Sequence, residues 1–282
     1  MSGKHIPLTI GSKLFDFSRP YIMGILNITP DSFSDGGQFF YPSKAIDHAL
    51  FLQDAGADIL DIGGESTRPG SDPVSLDQEL DRVIPVIEKL APQLSIPISI
   101  DTYKSEVARQ ALKAGAVMIN DITALNYDPD MALLAARTDV PVVLMHIKGT
   151  PKTMQKNPTY NDLLAEIKKY FEKSIALAEK AGVDRNKLVI DPGIGFGKSV
   201  EDNYRLISNL DYFGQLNLPI LIGASRKRFL SDNNKYSESE RLEQSLAAAC
   251  AAVLNGADFV RVHDVPQTKK ALRVIENLRI NR

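Results

Sequence analysis

Polar side chains that can do chemistry recur at the ends of short apolar runs in this sequence of 282 residues. Asp101, Asn120 and Asp191 each stand at or next to the end of such a run. Carboxylates accept hydrogen bonds, and an amide both donates and accepts them. Around one cavity, these groups suit a planar heterocycle with amino and ring N–H donors. Two alternatives stay open, because Asp101 could cap the helix that starts near Lys104 and Asp191 could only shape a turn.

A second set of residues after other apolar runs is mostly cationic. Arg68, Arg261 and His263 could bind a di- or polyphosphate, since a guanidinium holds phosphate oxygens in a bidentate way. Asn27 ends the first run, and its side-chain oxygen could bind Mg²⁺, which prefers oxygen ligands. Lys227 follows another run and could lie between the two sets. The sequence therefore predicts a site that holds a heterocycle and a polyanion together.

Other chemistries have weaker support in the sequence. It has no Cys/His cluster of the kind that binds zinc, and Ser225 has no evident base, which argues against a catalytic triad. The stretch "VIDPGIGFGKS" ends in Gly197 and Lys198 like a phosphate-binding loop, but Pro192 stands where that motif needs its first glycine. We therefore expect this stretch to be something other than a nucleotide loop.

The elements that must position these residues follow a regular pattern. Eight apolar strand-like runs alternate with helix-like stretches: "YIMGILN", "ADILDIG", "PISID", "AVMIND", "PVVLMH", "KLVID", "PILIG" and "ADFVRVH". This alternation predicts one α/β domain over residues 1–282, a closed (β/α)8 TIM barrel, with its site at the carboxyl ends of the strands. The alternative, an open doubly wound sheet, would need a topological switch point and a nucleotide fingerprint, and neither is visible.

Composition favours a protein of the cytoplasm. The net charge is −2 and no block of basic residues is present, so neither nucleic acid nor a membrane is an expected partner. Cys250 is the one cysteine, so no internal disulfide can form; it falls in an Ala-rich stretch that predicts a core helix. The first residues lack the apolar stretch of a signal peptide.

Two glycine-punctuated polar loops follow the first two predicted strands. They are "NITPDSFSDGGQFF" and "GGESTRPGSDP". Both are long for barrel loops, and long loops near a site often act as mobile lids.

Seven phrases together resemble the dihydropteroate synthase family. They are "GILNITPDSFSDGG", "DIGGESTRPG", "SIDTYKSEVARQALKAGAVMINDITA", "VLMHIKGTP", "VIDPGIGFGKS", "GASRKRFL" and "RVHDV". They run in the family's order from about residue 23 to 265. One departure is Lys148, where many relatives carry glutamine.

The resemblance implies a homodimeric barrel that condenses 4-aminobenzoate with 6-hydroxymethyl-7,8-dihydropterin diphosphate and requires Mg²⁺. It implies the following site residues. The pterin would meet Asp101, Asn120, Met145, Asp191 and Lys227. The diphosphate would meet Asn27, Thr67, Arg68, Arg261 and His263, with the metal at Asn27. The aminobenzoate would meet Phe33, Thr67, Pro69, Phe196, Ser225 and Lys227. The catalytic set would be Asp35, Asp101, Asp191 and Lys227.

Three other functions remain as alternatives. A pterin-binding methyltransferase shares the barrel and the pterin-holding carboxylates, but does not need the diphosphate residues. A non-catalytic pterin-binding protein would lack turnover. A sugar-phosphate aldolase would need a Schiff-base lysine, for which Lys227 is the candidate.

Overall fold

The computed structural model describes residues 5–29, 41–68, 70–156, 158–231 and 235–280. Two short strands come first, β1 (Leu8–Ile10) and β2 (Lys13–Phe15). The barrel strands are β3 (Tyr21–Asn27), β4 (Ile59–Gly63), β5 (Ile98–Asp101), β6 (Met118–Asp121), β7 (Val142–Met145), β8 (Leu188–Asp191), β9 (Leu221–Ile222) and β10 (Phe259–Val262). All eight fall within the predicted apolar runs.

The eight barrel strands are parallel and pair in the order β8-β7-β6-β5-β4-β3-β10-β9. The ring closes between β8 and β9, where Ile190 bridges Ile220 and the Ile190 N–H donates to the Pro219 carbonyl at 2.9 Å. The predicted (β/α)8 barrel is therefore confirmed. All parallel strands point the same way, so their carboxyl ends share one rim.

Helices separate the strands and cover the barrel from outside. They are α1 (Tyr41–Asp54), α2 (Leu76–Leu90), α3 (Ser105–Ala114), α4 (Pro129–Thr138), α5 (Leu163–Ala181), α6 (Val200–Ser208), α7 (Leu242–Leu254) and α8 (Val265–Ile280). Gly56 and Gly115 follow α1 and α3 with φ of 100° and 122°. Only glycine takes such angles without strain, so these residues end the helices where the sequence predicts.

The hairpin β1–β2 was not predicted, because each strand has only three residues. Leu8, Ile10 and Phe15 are buried against the inward-facing side chains of the barrel's amino end, among them Met23 and Phe259. The hairpin thus closes the bottom of the barrel. The amino end of the barrel is therefore a packed apolar core, so a site can form only at the opposite rim, where the strands have their carboxyl ends.

A larger apolar core lies between the strands and the helices, and it includes Leu26, Ile62 and Phe171. Cys250 of α7 is partly buried and packs against this core, as its Ala-rich surroundings suggest. Within the described part of the chain, every helix is too short or too polar to cross a membrane.

Candidate active site

A cavity of about 1030 Å³ opens at the carboxyl rim of the barrel. Nine residues that the sequence proposed for the site line it: Asn27, Thr67, Arg68, Asp101, Phe196, Ser225, Lys227, Arg261 and His263. They come from six different strand ends and their following loops. The rim position of polar residues therefore brings them together, as expected of a barrel site.

Three further predicted residues, Asn120, Met145 and Asp191, do not line the cavity; they lie at or next to the carboxyl ends of β6, β7 and β8. Each is no more than 5% exposed. Met145 packs in a small apolar cluster with Phe196 and Met154, both of which line the cavity. The remaining predictions, Phe33, Asp35 and Pro69, lie outside the described residues.

Arg261 of β10 links the polar groups at the cavity floor. Its Nε donates to Asp61 Oδ2 and its Nη2 donates to Asp101 Oδ2, both at 2.6 Å. Asn120 Nδ2 also donates to Asp61 Oδ2, at 3.0 Å. Asp101 and Asn120, which the sequence assigned to the heterocycle, thus share one hydrogen-bonded network with Arg261, which it assigned to the diphosphate.

Asp61 is a site residue that sequence reasoning missed. It lies in the middle of β4, is fully buried, and joins Arg261 to Asn120. A charged residue inside an apolar strand run, "ILDIG", was the available signal, because buried carboxylates need a partner.

Asp101 does not cap α3, which settles one alternative. The N-cap residue of α3 is Lys104, and the Ser105 N–H instead donates to the carboxylate of Asp128 at 2.8 Å. Burial raises the pKa of Asp101 to about 7, although Arg261 opposes that shift. Asp101 Oδ1 is buried and has no hydrogen-bond partner among the described residues, so it can accept a donor from a ligand.

Asp191 both shapes a turn and faces the site's charges. Its Oδ1 accepts from the Gly193 N–H at 2.7 Å, the turn contact that the sequence left open. Burial raises its pKa, while Lys227 is the largest opposing influence. The turn contact is therefore present, and the assignment of Asp191 to the site stays a prediction.

Lys227 lies between the floor and the glycine-rich loop. Its Nζ is 4.4 Å from the centre of the Phe196 ring and donates to the Ile194 carbonyl. Burial lowers its pKa to about 8, against the stabilising charge of Asp191. Cation–π contact with Phe196 fixes an aromatic face beside the ammonium group.

The glycine-rich loop after β8 is tightly packed, which explains its composition. Gly193 and Gly197 have φ of 69° and 67°. A Cβ at Gly193 would lie 1.9 Å from the His146 carbonyl oxygen, and one at Gly197 would lie 2.5 Å from the Lys148 carbonyl oxygen. The glycines therefore allow the close approach of this loop to the backbone of the loop after β7.

Beneath this loop lies a buried pair that the sequence analysis did not assign. Lys198 Nζ is 2.9 Å from His146 Nδ1 and donates to the Phe196 carbonyl at 3.0 Å. Burial is the main reason that the pKa values of Lys198 and His146 both fall well below their ordinary values. The pair holds the backbone of Phe196 in place.

Ser225 has a neighbouring base, contrary to the sequence-based expectation. Its Oγ is 3.0 Å from His263 Nδ1 and accepts from the His263 backbone N–H at 3.2 Å. Burial and the charge of Arg261 lower the pKa of His263 to about 3. No acid is hydrogen-bonded to His263 among the described residues, so the pair lacks the third member of a triad.

The outer rim carries exposed charges. Arg68 Nη2 donates to Glu238 Oε1 at 2.7 Å, and both side chains are largely exposed. Lys148 turns away from this rim: its Nζ is 4.0 Å from the Tyr160 ring centre and donates to the Thr159 carbonyl. The lysine that stands where many relatives carry glutamine therefore makes these contacts within the loop after β7.

The donors present suit a metal ion held mostly by a ligand's own oxygens. In the described residues no cluster of three or more His, Cys, Asp or Glu side chains could hold a metal. Mg²⁺ commonly binds one or two protein oxygens and completes its shell with phosphates and water. Asn27, which lines the cavity, can supply one such oxygen.

Fold and site together define a barrel enzyme whose cavity combines carboxylate acceptors, cationic rim groups and an aromatic wall. The family model for pterin-binding enzymes matches residues 23–263. The dihydropteroate synthase of Escherichia coli K12 is 50% identical over 261 residues, which cover 93% of this chain and 92% of that protein.

Solved structures agree with this comparison. The Xanthomonas albilineans dihydropteroate synthase with 4-aminobenzoic acid has a TM-score of 0.91 and 44% identity, covering 98% of both chains. The same organism's enzyme in complex with 7,8-dihydropteroate has a TM-score of 0.88 and 42% identity, covering 97% of this chain and 99% of the other. The chain therefore belongs to the dihydropteroate synthase family of pterin-binding enzymes.

Proposed function

We propose that this chain, a transferase by its family, condenses 4-aminobenzoate with 6-hydroxymethyl-7,8-dihydropterin diphosphate, which gives 7,8-dihydropteroate and diphosphate. The observation that carries the proposal is at Asp101. One of its oxygens is held by Arg261, while the other lies buried at the cavity without a partner among the described residues. A pterin presents the adjacent N–H donors that such an acceptor needs.

The pterin ring lies on the cavity floor in this account. Asp101, Asn120 and Asp191 supply acceptors and a donor around its polar edge, and Met145 forms a wall beneath it. A buried polar atom without a hydrogen-bond partner costs free energy. A pterin that supplies the missing partners removes that cost, and this is the main source of its affinity for the site. Lys227 stands between the ring and the incoming amine.

The diphosphate faces the cationic rim. Arg68 is exposed and can turn from Glu238 to the anion, while His263 and Thr67 line the same part of the cavity. Arg261 reaches the anion from below and keeps its carboxylate partners. Bidentate guanidinium contacts are well suited to phosphate oxygens.

Mg²⁺ is the cofactor that this rim would take, with Asn27 as its protein ligand. When bound, it would help to neutralise the charge that grows on the departing diphosphate.

The aminobenzoate ring lies against Phe196, whose face also contacts Lys227. Ser225 and Thr67 stand nearby for its carboxylate. Phe33 and Pro69 complete this part of the proposed site, and Asp35 belongs to the proposed catalytic set; these three lie outside the described residues.

The reaction proceeds by loss of diphosphate before the amine attacks. The C–O bond to the exocyclic CH₂ breaks, and the pterin ring nitrogen delocalises the positive charge that remains. The carboxylates of Asp101 and Asp191 stabilise that cation, and the rim cations stabilise the leaving group. The arylamine nitrogen then forms the C–N bond and loses a proton. No enzyme nucleophile is needed.

The protein acts as a single barrel domain and as a homodimer in the cytoplasm in this proposal. Its partners are its two small substrates, without nucleic acid or membrane. The sequence resemblance supports the homodimer, and the net charge of −2 argues against nucleic acid and anionic membranes as partners.

The test of the function is product formation. Purified protein is mixed with both substrates and Mg²⁺, and 7,8-dihydropteroate is identified by mass. Its formation supports the proposal. Transfer of a methyl group from methyltetrahydrofolate to a corrinoid, without dihydropteroate, would favour the methyltransferase instead. Borohydride trapping of Lys227 with a carbonyl substrate would favour the aldolase.

A further inference from the structure

The described residues of the loop after β4, 64–68 and 70–72, bring Thr67 and Arg68 to the cavity, and we call them the β4 loop. Its glycines and polar residues predict a mobile lid, but its described residues are held from several sides. Arg82 Nη1 donates to the Gly64 carbonyl at 2.7 Å, and Ser71 Oγ donates to the Ser66 and Arg68 carbonyls at 2.5 and 2.8 Å. The described part of the loop is therefore folded onto itself and onto α2.

Glu65 is the charged anchor at the base of this loop. Its Oε2 accepts from Lys104 Nζ at 2.5 Å, and its Oε1 accepts from the Tyr103 hydroxyl at 2.7 Å. Lys104 Nζ also donates to Glu79 Oε2 of α2 at 2.5 Å. The side chains of Glu65, Lys104 and Glu79 are 7%, 16% and 1% exposed. Charge-assisted hydrogen bonds between buried groups are strong, so they fix the positions of these three side chains.

The cluster holds two carboxylates and one ammonium group. Lys104 can remain paired with Glu79 if the charge at Glu65 is removed. Loss of Lys104 would instead leave two close buried carboxylates. Glu65 belongs to the β4 loop and Glu79 to α2, so the shared Lys104 ties the base of the loop to that helix.

We propose that Glu65 is a positioning residue for diphosphate: its bonds to Lys104 and Tyr103 fix the base of the β4 loop, so that Thr67 and Arg68 face the anion. Glu65 lies two and three residues before them and does not line the cavity itself. This inference rests on the proposed function, because it assigns the loop to the diphosphate-bearing substrate.

The first test is Glu65→Gln, which keeps the shape and removes the charge. Calorimetry with inorganic diphosphate and Mg²⁺ should show about tenfold weaker binding, which corresponds to about 1.4 kcal/mol. Binding of 6-hydroxymethylpterin, which lacks the diphosphate, should change less than about twofold. A purely structural defect would weaken both ligands alike and would overturn the proposal.

A matched control is Glu106→Gln. Glu106 accepts charged hydrogen bonds from Arg109 of its own helix α3 and does not contact the β4 loop. It should leave both affinities unchanged. Tyr103→Phe is a gentler second variant, which removes one hydrogen bond to Glu65, and it should weaken diphosphate binding by about twofold to threefold. Unaltered diphosphate binding in both Glu65→Gln and Tyr103→Phe would overturn the proposal.

A double-mutant cycle separates positioning from a direct effect. In an Arg68→Ala background, Glu65→Gln should weaken diphosphate binding by less than about threefold, because one of the two side chains that Glu65 positions, that of Arg68, is already removed. A full tenfold loss in that background would contradict the inference. If the unchanged protein bound no diphosphate, the proposed function would fail as well, whereas normal binding with an unaffected Glu65→Gln variant would overturn this inference alone.

Discussion

Arg261 Nη2 lies 2.6 Å from Asp101 Oδ2, and this contact joins β10 to β5 across the interior of the barrel. The same guanidinium donates to Asp61 on β4. Two buried carboxylates thus share one cation, which leaves a net negative charge at the cavity floor when both are ionised. The arrangement ties the pterin floor to the diphosphate rim, so that changes on one side should be felt on the other.

Arg261→Met should destabilise the fold by about 3–5 kcal/mol, because it leaves Asp61 and Asp101 buried without their cation. Chemical denaturation would measure the loss. A second change, Asp61→Asn, should restore part of it by removing one of the unpaired charges. A double variant that is no more stable than Arg261→Met would argue that the two carboxylates do not repel.

Asp101→Asn should lower kcat/KM by about 100-fold, since the amide cannot stabilise a cation on the pterin. Stability should fall by only about 1–2 kcal/mol, because Arg261 keeps Asp61 as a partner. Steady-state kinetics and thermal unfolding would be compared on the same sample. Asp128→Asn is the control, because asparagine caps a helix as well as aspartate does. Unchanged turnover in Asp101→Asn would remove its role.

The dependence of kcat/KM on pH should reveal the titration of Lys227. Burial lowers its pKa to about 8, so its charge is lost as pH rises past that value, and kcat/KM should fall with it. The kcat/KM of Lys227→Met should be lower than that of the unchanged protein and should not fall as the pH rises through about 8, because the group that titrates there is gone.

The contribution of Lys227 to stability should change with pH in the opposite direction to kcat/KM over the alkaline range. The folded state binds fewer protons than the unfolded chain between the lowered pKa of Lys227 and its ordinary value. The contribution of this residue to stability therefore rises with pH across that window. Denaturation at several pH values, with Lys227→Met as reference, would measure it. A decline in that contribution would mean that the pKa is not lowered.

Gly193→Ala should destabilise the protein by at least about 2 kcal/mol, because the new Cβ would meet the His146 carbonyl oxygen and the backbone needs a positive φ. Gly214 is the matched control, since a Cβ there would meet nothing within 4 Å. Gly214→Ala should change stability by less than about 0.5 kcal/mol. A loss of stability in Gly193→Ala as small as that expected for Gly214→Ala, measured by denaturation, would show that the loop tolerates a side chain.

Much of the fold could be predicted from the sequence because parallel barrel strands are buried on both faces. Runs such as "YIMGILN" are apolar throughout, and the structure places β3 at that run, Tyr21–Asn27. The hairpin β1–β2 was missed because its strands are short and one of its faces is exposed. Its stabilising contacts are with distant residues such as Phe259, which local patterns do not reveal.

The site was predictable only in part for a similar reason. Strand-end residues such as Asp101 and Arg261 have a fixed direction in a barrel, so their convergence follows from the topology. Asp61 and the pair of Lys198 with His146 were not assigned, because their roles depend on partners far apart in sequence. Ser225 likewise gained its neighbour His263 only through the adjacency of β9 and β10.

The most direct test of the central claim is the stoichiometry of the reaction. Diphosphate and 7,8-dihydropteroate would be quantified in the same reaction as it proceeds, with Mg²⁺ present and then chelated. We expect equal amounts of the two products, both lost on chelation. A protein that binds the pterin but yields neither product with Mg²⁺ present would contradict the account.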